Sequence, residues 1–205
     1  MNTLLFLGDS ITDCNHCFDP ENLGYGYVRK ISDALRTADV DHQIRNFGYD
    51  GFTVSALRRL WKRHCLALSP DFITILIGIN DLSVIKNTGI TPSVGLADFK
   101  NQYQELIDDI RIMTDCHILL LEPFIFPYPA EYAIWEDDLH QLNSIIQEIA
   151  KDNGLGYLPL WDELLKAAKE GGFKELTTDG IHLTPLGHQM ISDRWISYFQ
   201  NKICE

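Results

Sequence analysis

Short apolar runs alternate with longer amphipathic stretches along the whole chain, and no repeat or low-complexity linker interrupts this alternation. Five of the runs have the length and the bounding Gly, Pro or Asp residues that are typical of buried strands. We predict strands at residues 3–7, 43–47, 72–77, 118–121 and 156–158.

The stretches between these strands carry apolar residues at the three-to-four spacing of helices. We predict helices at residues 25–37, 54–64, 96–113, 134–152 and 161–169. A last helix has the clearest start, because Thr184 suits an N-cap and Pro185 suits the first helical turn. Its apolar face is formed by Met190, Ile191, Trp195 and Phe199.

Strands that alternate with helices indicate an α/β fold, since parallel strands need crossover connections and these place helices on both faces of the sheet. The sequence therefore predicts a three-layer αβα sandwich with a five-stranded parallel sheet in the flavodoxin-like order 2-1-3-4-5. We expect residues 1–205 to form a single domain, because this length matches one domain of ordinary size. Ligands bind such sheets at the carboxyl ends of the strands.

The charge of the chain narrows the classes of partner. Its 17 Lys and Arg residues against 29 Asp and Glu residues give a net charge of −12, which repels phosphate backbones and makes nucleic acid a poor partner. The apolar runs are far shorter than the roughly 20 residues of a membrane-spanning helix. The first residues lack the basic and apolar regions of a secretory signal, so we expect a cytoplasmic location.

The cysteines are odd in number, which favours reduced thiols over a disulfide framework. They are Cys14, Cys17, Cys65, Cys116 and Cys204. The spacing of Cys14 and Cys17 equals half a zinc site, but no second Cys or His pair completes four ligands, so we predict no metal.

Small polar residues follow the first three predicted strands. The strand ends read Gly-Asp-Ser-Ile-Thr at residues 8–12, Asn-Phe-Gly-Tyr-Asp-Gly at 46–51 and Gly-Ile-Asn-Asp at 78–81. In the predicted strand order, Ser10 lies between Gly48 and Asn80. A serine that attacks a carbonyl creates an oxyanion, and each donor directed at it stabilises the transition state by about 3 kcal/mol. The N–H groups of Ser10 and Gly48 and the side-chain amide of Asn80 are candidates for these donors.

Serine is a weak nucleophile until a base takes its proton, and the base in turn needs an orienting group. The sequence Asp-Gly-Ile-His at residues 179–182 offers both, since a tight turn at the glycine lets Asp179 hold the tautomer of His182. We therefore predict a Ser10, Asp179 and His182 triad.

Together these motifs resemble the four sequence blocks of the GDSL-type SGNH hydrolases, whose Ser, Gly, Asn and His match Ser10, Gly48, Asn80 and His182 in order. Asp179 matches the acid of that family's triad, and the resemblance covers residues 4 to about 195. It implies a flavodoxin-like fold and a lipase or acylhydrolase that cleaves small-molecule esters through an acyl-enzyme, without cofactors. Short acyl groups and an acetylated carbohydrate are the expected substrate, and lysophospholipid and thioester substrates stay open.

Two other functions use the same strand ends. A metal-dependent phosphoesterase could ligate ions through Asp9, Asn80, Asp81 and His182, and a non-catalytic protein could bind a phosphate or sugar there. We interpret Asp9 and Asp81 mainly as residues that brace loops and His188 as a packing residue. The aromatic segment at residues 124–135 is either a pocket wall or a cover for the core or for a homo-oligomer interface.

Overall fold

The computed structural model describes residues 2–61, 63 and 68–203. Within them, five strands form one parallel sheet in the order β2-β1-β3-β4-β5, which confirms the predicted topology. The strands are β1 Asn2–Gly8, β2 His42–Gly48, β3 Phe72–Leu76, β4 His117–Leu121 and β5 Gly156–Leu158.

Helices cover both faces of the sheet, so the α/β sandwich is also confirmed. On one face α2 packs against α9, and on the other α5 packs against α3 and α6. The described helices are α1 Ser10–Asp13, α2 Tyr27–Thr37, α3 Val54–Leu60, α4 Ile79–Asn87, α5 Pro92–Met113, α6 Glu136–Asp152, α7 Trp161–Gly171, α8 Phe173–Leu176 and α9 Pro185–Ile203.

Burial explains why the central strands read as continuous apolar runs. All five residues of β3 are buried, as are the last four of β4, because helices cover both faces. At the carboxyl end of β1, Gly8 pairs with Gly48 of β2 and Leu76 of β3. The three polar strand ends therefore meet at one edge of the sheet, as predicted.

The helix boundaries differ from the predicted ones in places. The helix predicted from residue 96 begins at Pro92, whose fixed φ suits a first turn. The helix predicted at 54–64 is described as α3 only to Leu60, and His64 lies outside the described residues. The segment before α6 is a 3₁₀ helix over Ala130–Trp135, so α6 begins at Glu136.

Three described helices were not predicted. α1 and α8 each span four residues, too few to show helical periodicity. α4 begins at Ile79, three residues after β3 ends, and its apolar first residue prolongs the apolar run of the strand.

The predicted start of the last helix is confirmed. Oγ1 of Thr184 accepts a hydrogen bond from the N–H of Gly187, and the helix begins at Pro185. Ile191, Trp195 and Phe199 are buried.

No helix in the described part of the chain has the length and apolar composition needed to cross a bilayer. Cys14, Cys17 and Cys116 are free thiols, and Cys65 and Cys204 lie outside the described residues.

A buried hydrogen bond between α9 and the sheet yields a test of the packing. Nε1 of Trp195 donates to Oγ1 of Thr74 at 2.8 Å, and both residues are fully buried. Thr74→Val should lower the free energy of unfolding by about 1–3 kcal/mol, because it leaves the indole N–H without an acceptor. Urea denaturation measures this change. In a Trp195→Phe background the same substitution should not lower the free energy of unfolding, because the indole N–H is absent. An equal decrease in both backgrounds would contradict this role of the hydrogen bond.

Candidate active site

Ser10 is placed by the sharp transition from β1 to α1. Gly8 ends the strand and has no room for a side chain, since a Cβ there would lie 2.5 Å from the carbonyl oxygen of Leu76. Asp9 then caps the helix, and its Oδ1 accepts a hydrogen bond from the N–H of Ile11 at 3.0 Å. Ser10 is thus the first residue of α1, where a backbone N–H has no partner within the helix.

The loop that carries His182 is held by its own hydrogen bonds. Oδ1 of Asp179 accepts from the N–H groups of Ile181 and His182, at 3.0 and 2.8 Å. The carbonyl of His182 accepts from Oγ1 of Thr177 at 2.8 Å. Gly180 has a φ of +97° and packs its Cα against the carbonyl of residue 128, so a larger residue would be strained there. These bonds fix both side chains on one short turn.

Asp179, His182 and Ser10 form a continuous chain of contacts. Oδ2 of Asp179 lies 2.6 Å from Nδ1 of His182, and Nε2 of His182 lies 3.0 Å from Oγ of Ser10. Burial raises the pKa of Asp179, but hydrogen bonds from the His182 ring and two backbone N–H groups outweigh it and hold this pKa below its ordinary value. An ionised Asp179 can only accept from Nδ1, so the neutral tautomer that it favours has an unprotonated Nε2 that can accept the Ser10 proton.

The amide of Asn80 lies at the start of α4, at the end of the neighbouring strand. Its Nδ2 donates to the carbonyl of Phe52 at 3.0 Å, and an amide nitrogen carries a second hydrogen that remains for another acceptor. This bond joins Asn80 to the loop after β2.

Gly48 is positioned differently from the prediction. Its N–H already donates to Oδ1 of Asn46 at 2.9 Å, so the geometry gives no support to this N–H as an oxyanion donor. The role of Gly48 is instead close packing, since a Cβ there would lie 2.5 Å from the carbonyl carbon of Thr12. Asn46 completes the junction by donating through Nδ2 to the carbonyls of Thr12 and Leu23, both at 2.8 Å.

A cavity of about 310 Å³ lies beside Ser10 and His182, and its other lining includes Asp13, Asn15, Asp50 and Leu183. A larger groove of about 510 Å³ follows the edge strand β2, but it is lined by residues such as Glu21 and Arg45 and contains neither Ser10 nor His182. The smaller cavity is the one whose lining includes both Ser10 and His182.

Over most of its length the sequence is similar to one known protein family. The pattern of the GDSL-like Lipase/Acylhydrolase family matches residues 6–190. The chain belongs to this family. It is therefore a carboxylic ester hydrolase, and the resemblance stated from the sequence is confirmed.

Curated relatives of this GDSL-like chain are named as esterases. An acetylxylan esterase of Geobacillus stearothermophilus is 28% identical over 206 residues, which cover 92% of this chain and 90% of the relative. An isoamyl acetate-hydrolyzing esterase 1 homolog of Mus musculus is 27% identical, covering 92% of this chain and 77% of the relative. The crystal structure of an acetylxylan esterase of G. stearothermophilus has the same fold, with a TM-score of 0.84, 24% identity, and 96% and 93% of the two chains covered.

The structure also shows which contacts Asp9, Asp81 and His188 make. Asp9 and Asp81 brace loops as predicted, since both carboxylate oxygens of Asp81 accept from the N–H of Val54 at the start of α3. His188 is a packing residue as predicted. It is buried, and its Nδ1 accepts from the N–H of Tyr27 at 3.2 Å.

The aromatic segment at residues 124–135 covers the core. Phe124, Phe126 and Trp135 are buried, and the N–H of Phe126 donates to the carbonyl of Gly180. The segment therefore supports the turn that carries His182, and none of it lines the cavity beside Ser10.

Gly51 lies next to the candidate site of this GDSL-like chain, although it was not among the site residues predicted from the sequence. Gly51 has a φ of +72° and sits in a turn closed by a bond from the N–H of Phe52 to the carbonyl of Tyr49. No described residue accepts a hydrogen bond from its N–H. The carbonyl of Phe52 in the same turn contacts Asn80, so this N–H and the Asn80 amide lie on adjoining segments. The sequence signal that could have identified Gly51 is the second glycine of the Asn-x-Gly-x-x-Gly pattern at residues 46–51.

No group of three or more His, Cys, Asp or Glu side chains within the described ranges is arranged to hold a metal ion. In particular, Asp9 is committed to the N–H of Ile11, and His182 is committed to Asp179 and Ser10. The side-chain geometry therefore gives the metal-dependent phosphoesterase no support.

Two buried carboxyl groups flank the site and make the folding stability of the protein depend on pH. Burial raises the pKa values of both Asp9 and Asp81 to about 7, and their mutual repulsion adds to the shift of Asp81. Each folded-state pKa exceeds the unfolded value, so the folded state binds these protons more tightly. The stabilisation that comes from this tighter proton binding is fully present below pH 4 and is lost as the pH rises through about 7.

Asp81→Asn should reduce this loss, because the amide cannot ionise but keeps an oxygen that accepts from Val54. We expect the free energy of unfolding at pH 8 to rise relative to the wild type by an amount on the order of 1–4 kcal/mol, with a smaller difference near pH 4.5. Urea denaturation at the two pH values measures it. Asp152→Asn at an exposed helix end is the control, and an equal pH dependence in wild type and Asp81→Asn would refute the assignment.

Proposed function

We propose that the protein is a serine esterase that cleaves short-acyl esters, with acetylated carbohydrates as the substrate class, through an acyl-enzyme. The observation that carries this proposal is the contact chain from Asp179 through His182 to Oγ of Ser10. Its geometry matches the requirement that a nucleophile contact a base that a third group orients.

In the first half of the reaction, Oγ of Ser10 forms a bond to the ester carbonyl carbon while its proton passes to Nε2 of His182. The imidazolium is stabilised by Asp179, and it then donates the proton to the alcohol oxygen as the bond between that oxygen and the acyl carbon breaks. In the second half, water attacks the acyl carbon, His182 takes its proton, and the acid leaves as Ser10 regains a proton.

The negative charge on the carbonyl oxygen needs donors in both halves. We assign the N–H of Ser10 and the amide of Asn80 to this role, as the sequence predicts. In place of the Gly48 N–H, which is bound to Asn46, we assign the N–H of Gly51.

The short acyl group is supported by two findings. The curated relatives are named for acetyl groups on xylan and for isoamyl acetate. In addition, polar side chains such as Asn15 and Asp50 lie in the lining of the cavity beside Ser10, where a long acyl chain would leave them without hydrogen-bond partners.

Ser10→Ala should lower kcat for p-nitrophenyl acetate by roughly 10⁶-fold, because the triad acts as a unit. A fluorophosphonate should label the wild type stoichiometrically at Ser10, as detected by peptide mass spectrometry, and should leave Ser10→Ala unlabelled. Ser144→Ala, on an exposed helix face, is the matched control and should behave as the wild type.

Retained activity in Ser10→Ala would remove that residue from the proposed role, and an unlabelled wild type would favour the non-catalytic binding protein. Activity lost on chelation and restored by a divalent metal would favour the phosphoesterase.

Across p-nitrophenyl esters from C2 to C12, we expect kcat/KM to be highest for the shortest chains and to fall steadily with length. The reason is the absence of an extended apolar lining beside Ser10 in the described structure. A maximum at long chains would contradict the proposed acyl preference.

A further inference from the structure

The cavity beside Ser10 contains polar side chains that the proposed chemistry does not use. Asn15 and Asp50 are exposed: Asn15 lies just after α1, and Asp50 lies on the loop that follows β2. Neither side chain makes a hydrogen bond with any residue in the described ranges. The electrostatic neighbour of Asp50 is the buried Asp9.

The other polar groups in the lining are already engaged. Oδ1 of Asp13 contacts Nδ1 of His16 at 2.6 Å, and His182 is bound within the catalytic chain. Nδ1 of His188 accepts from a backbone N–H, so its protonated Nε2 faces the Cys14 thiol, 3.6 Å away. Among the lining side chains, Asn15 and Asp50 are therefore the exposed ones that have no hydrogen-bond partner in the described ranges.

The size and polarity of the cavity decide which half of the ester it fits. Its volume of about 310 Å³ is far more than an acetyl group requires. The carboxylate and amide in its lining are suited to hydroxyl groups, since a carboxylate accepts from a hydroxyl and an amide both donates and accepts. No Lys or Arg lines it, so an anionic group would meet the Asp50 carboxylate without a compensating charge.

We propose that this cavity binds the alcohol half of the ester and that Asn15 and Asp50 bind its hydroxyl groups. The enzyme then prefers esters of neutral polyhydroxy alcohols and discriminates against esters whose alcohol is anionic. This inference rests on the proposed function of Ser10, and it adds two specificity-determining residues to it.

The charge of Asp50 is tested with two acetate esters that differ in their alcohol, an acetylated methyl xyloside and O-acetyl lactate. Asp50→Asn should raise the kcat/KM ratio of the anionic to the neutral ester by about threefold to tenfold, and Asp50→Lys should raise it further. Asp50→Glu should restore the wild-type ratio. The wild-type discrimination should weaken as salt is raised, because salt screens exposed charges.

Asp152 provides a matched control for these charge changes. It lies at the exposed end of α6, just before β5 and therefore near the opposite edge of the sheet. Asp152→Asn and Asp152→Lys should leave the substrate ratio unchanged. An unchanged ratio in the Asp50 variants, or an equal change in the Asp152 variants, would overturn the assignment of Asp50.

Asn15 is tested by comparing an alcohol that has hydroxyl groups with one that has none. Asn15→Gly, which removes the side chain and tolerates the φ of +62° at this position, should raise KM for the acetylated xyloside by about threefold to tenfold more than KM for p-nitrophenyl acetate, the loss of one hydrogen bond. Equal effects on both substrates would indicate a purely structural role and contradict the proposal.

These outcomes are separable from a failure of the proposed function. If Ser10 is not the nucleophile, the wild type is not labelled by fluorophosphonate, and the substrate comparison does not arise. If Ser10 is labelled and p-nitrophenyl acetate is cleaved, but none of the ratios above changes, the proposed function stands and the assignment of the alcohol site fails.

Discussion

The close approach of β1 to its two neighbours is the constraint on which the site depends. Gly8 lies opposite Gly48 and Leu76, and side chains on these two glycines would collide with the last two residues of α1 or with the adjacent strand. Because both are glycine, the first turn of α1 can lie directly over the ends of the sheet. Ser10 is thereby held at the edge where the loops after β2 and β3 also arrive.

Much of this arrangement could be predicted from the sequence, because it depends on the spacing of apolar residues, the order of strands and helices, and short local motifs. Buried runs bounded by turn residues gave five strands and their parallel topology. The spacing of Asp179 and His182 gave a local pair, and the structure places that pair beside Ser10. In each case the evidence lies within a few adjacent residues or in the order of the elements.

What the sequence could not supply depends on contacts between distant residues. Whether the Gly48 N–H is available depends on the side chain of Asn46, whose amide is held by the carbonyls of Thr12 and Leu23, both far away in the sequence. The helical environment of Asn80 was hidden because the helix begins directly after Gly78, with the apolar Ile79 as its first residue, so that its start resembles a continuation of the strand. The raised pKa values of Asp9 and Asp81 likewise arise from burial in the assembled fold.

The turn at residues 177–183 places acid and base on a single backbone unit, fastened by its internal hydrogen bonds and by the contact between Phe126 and Gly180. A rigid displacement of that unit would leave the Asp179–His182 geometry intact and alter only the distance from His182 to Ser10. The proposed triad thus has one variable distance, from His182 to Ser10, rather than two. Substitutions in the surrounding surface can change that distance without disturbing the contact between Asp179 and His182.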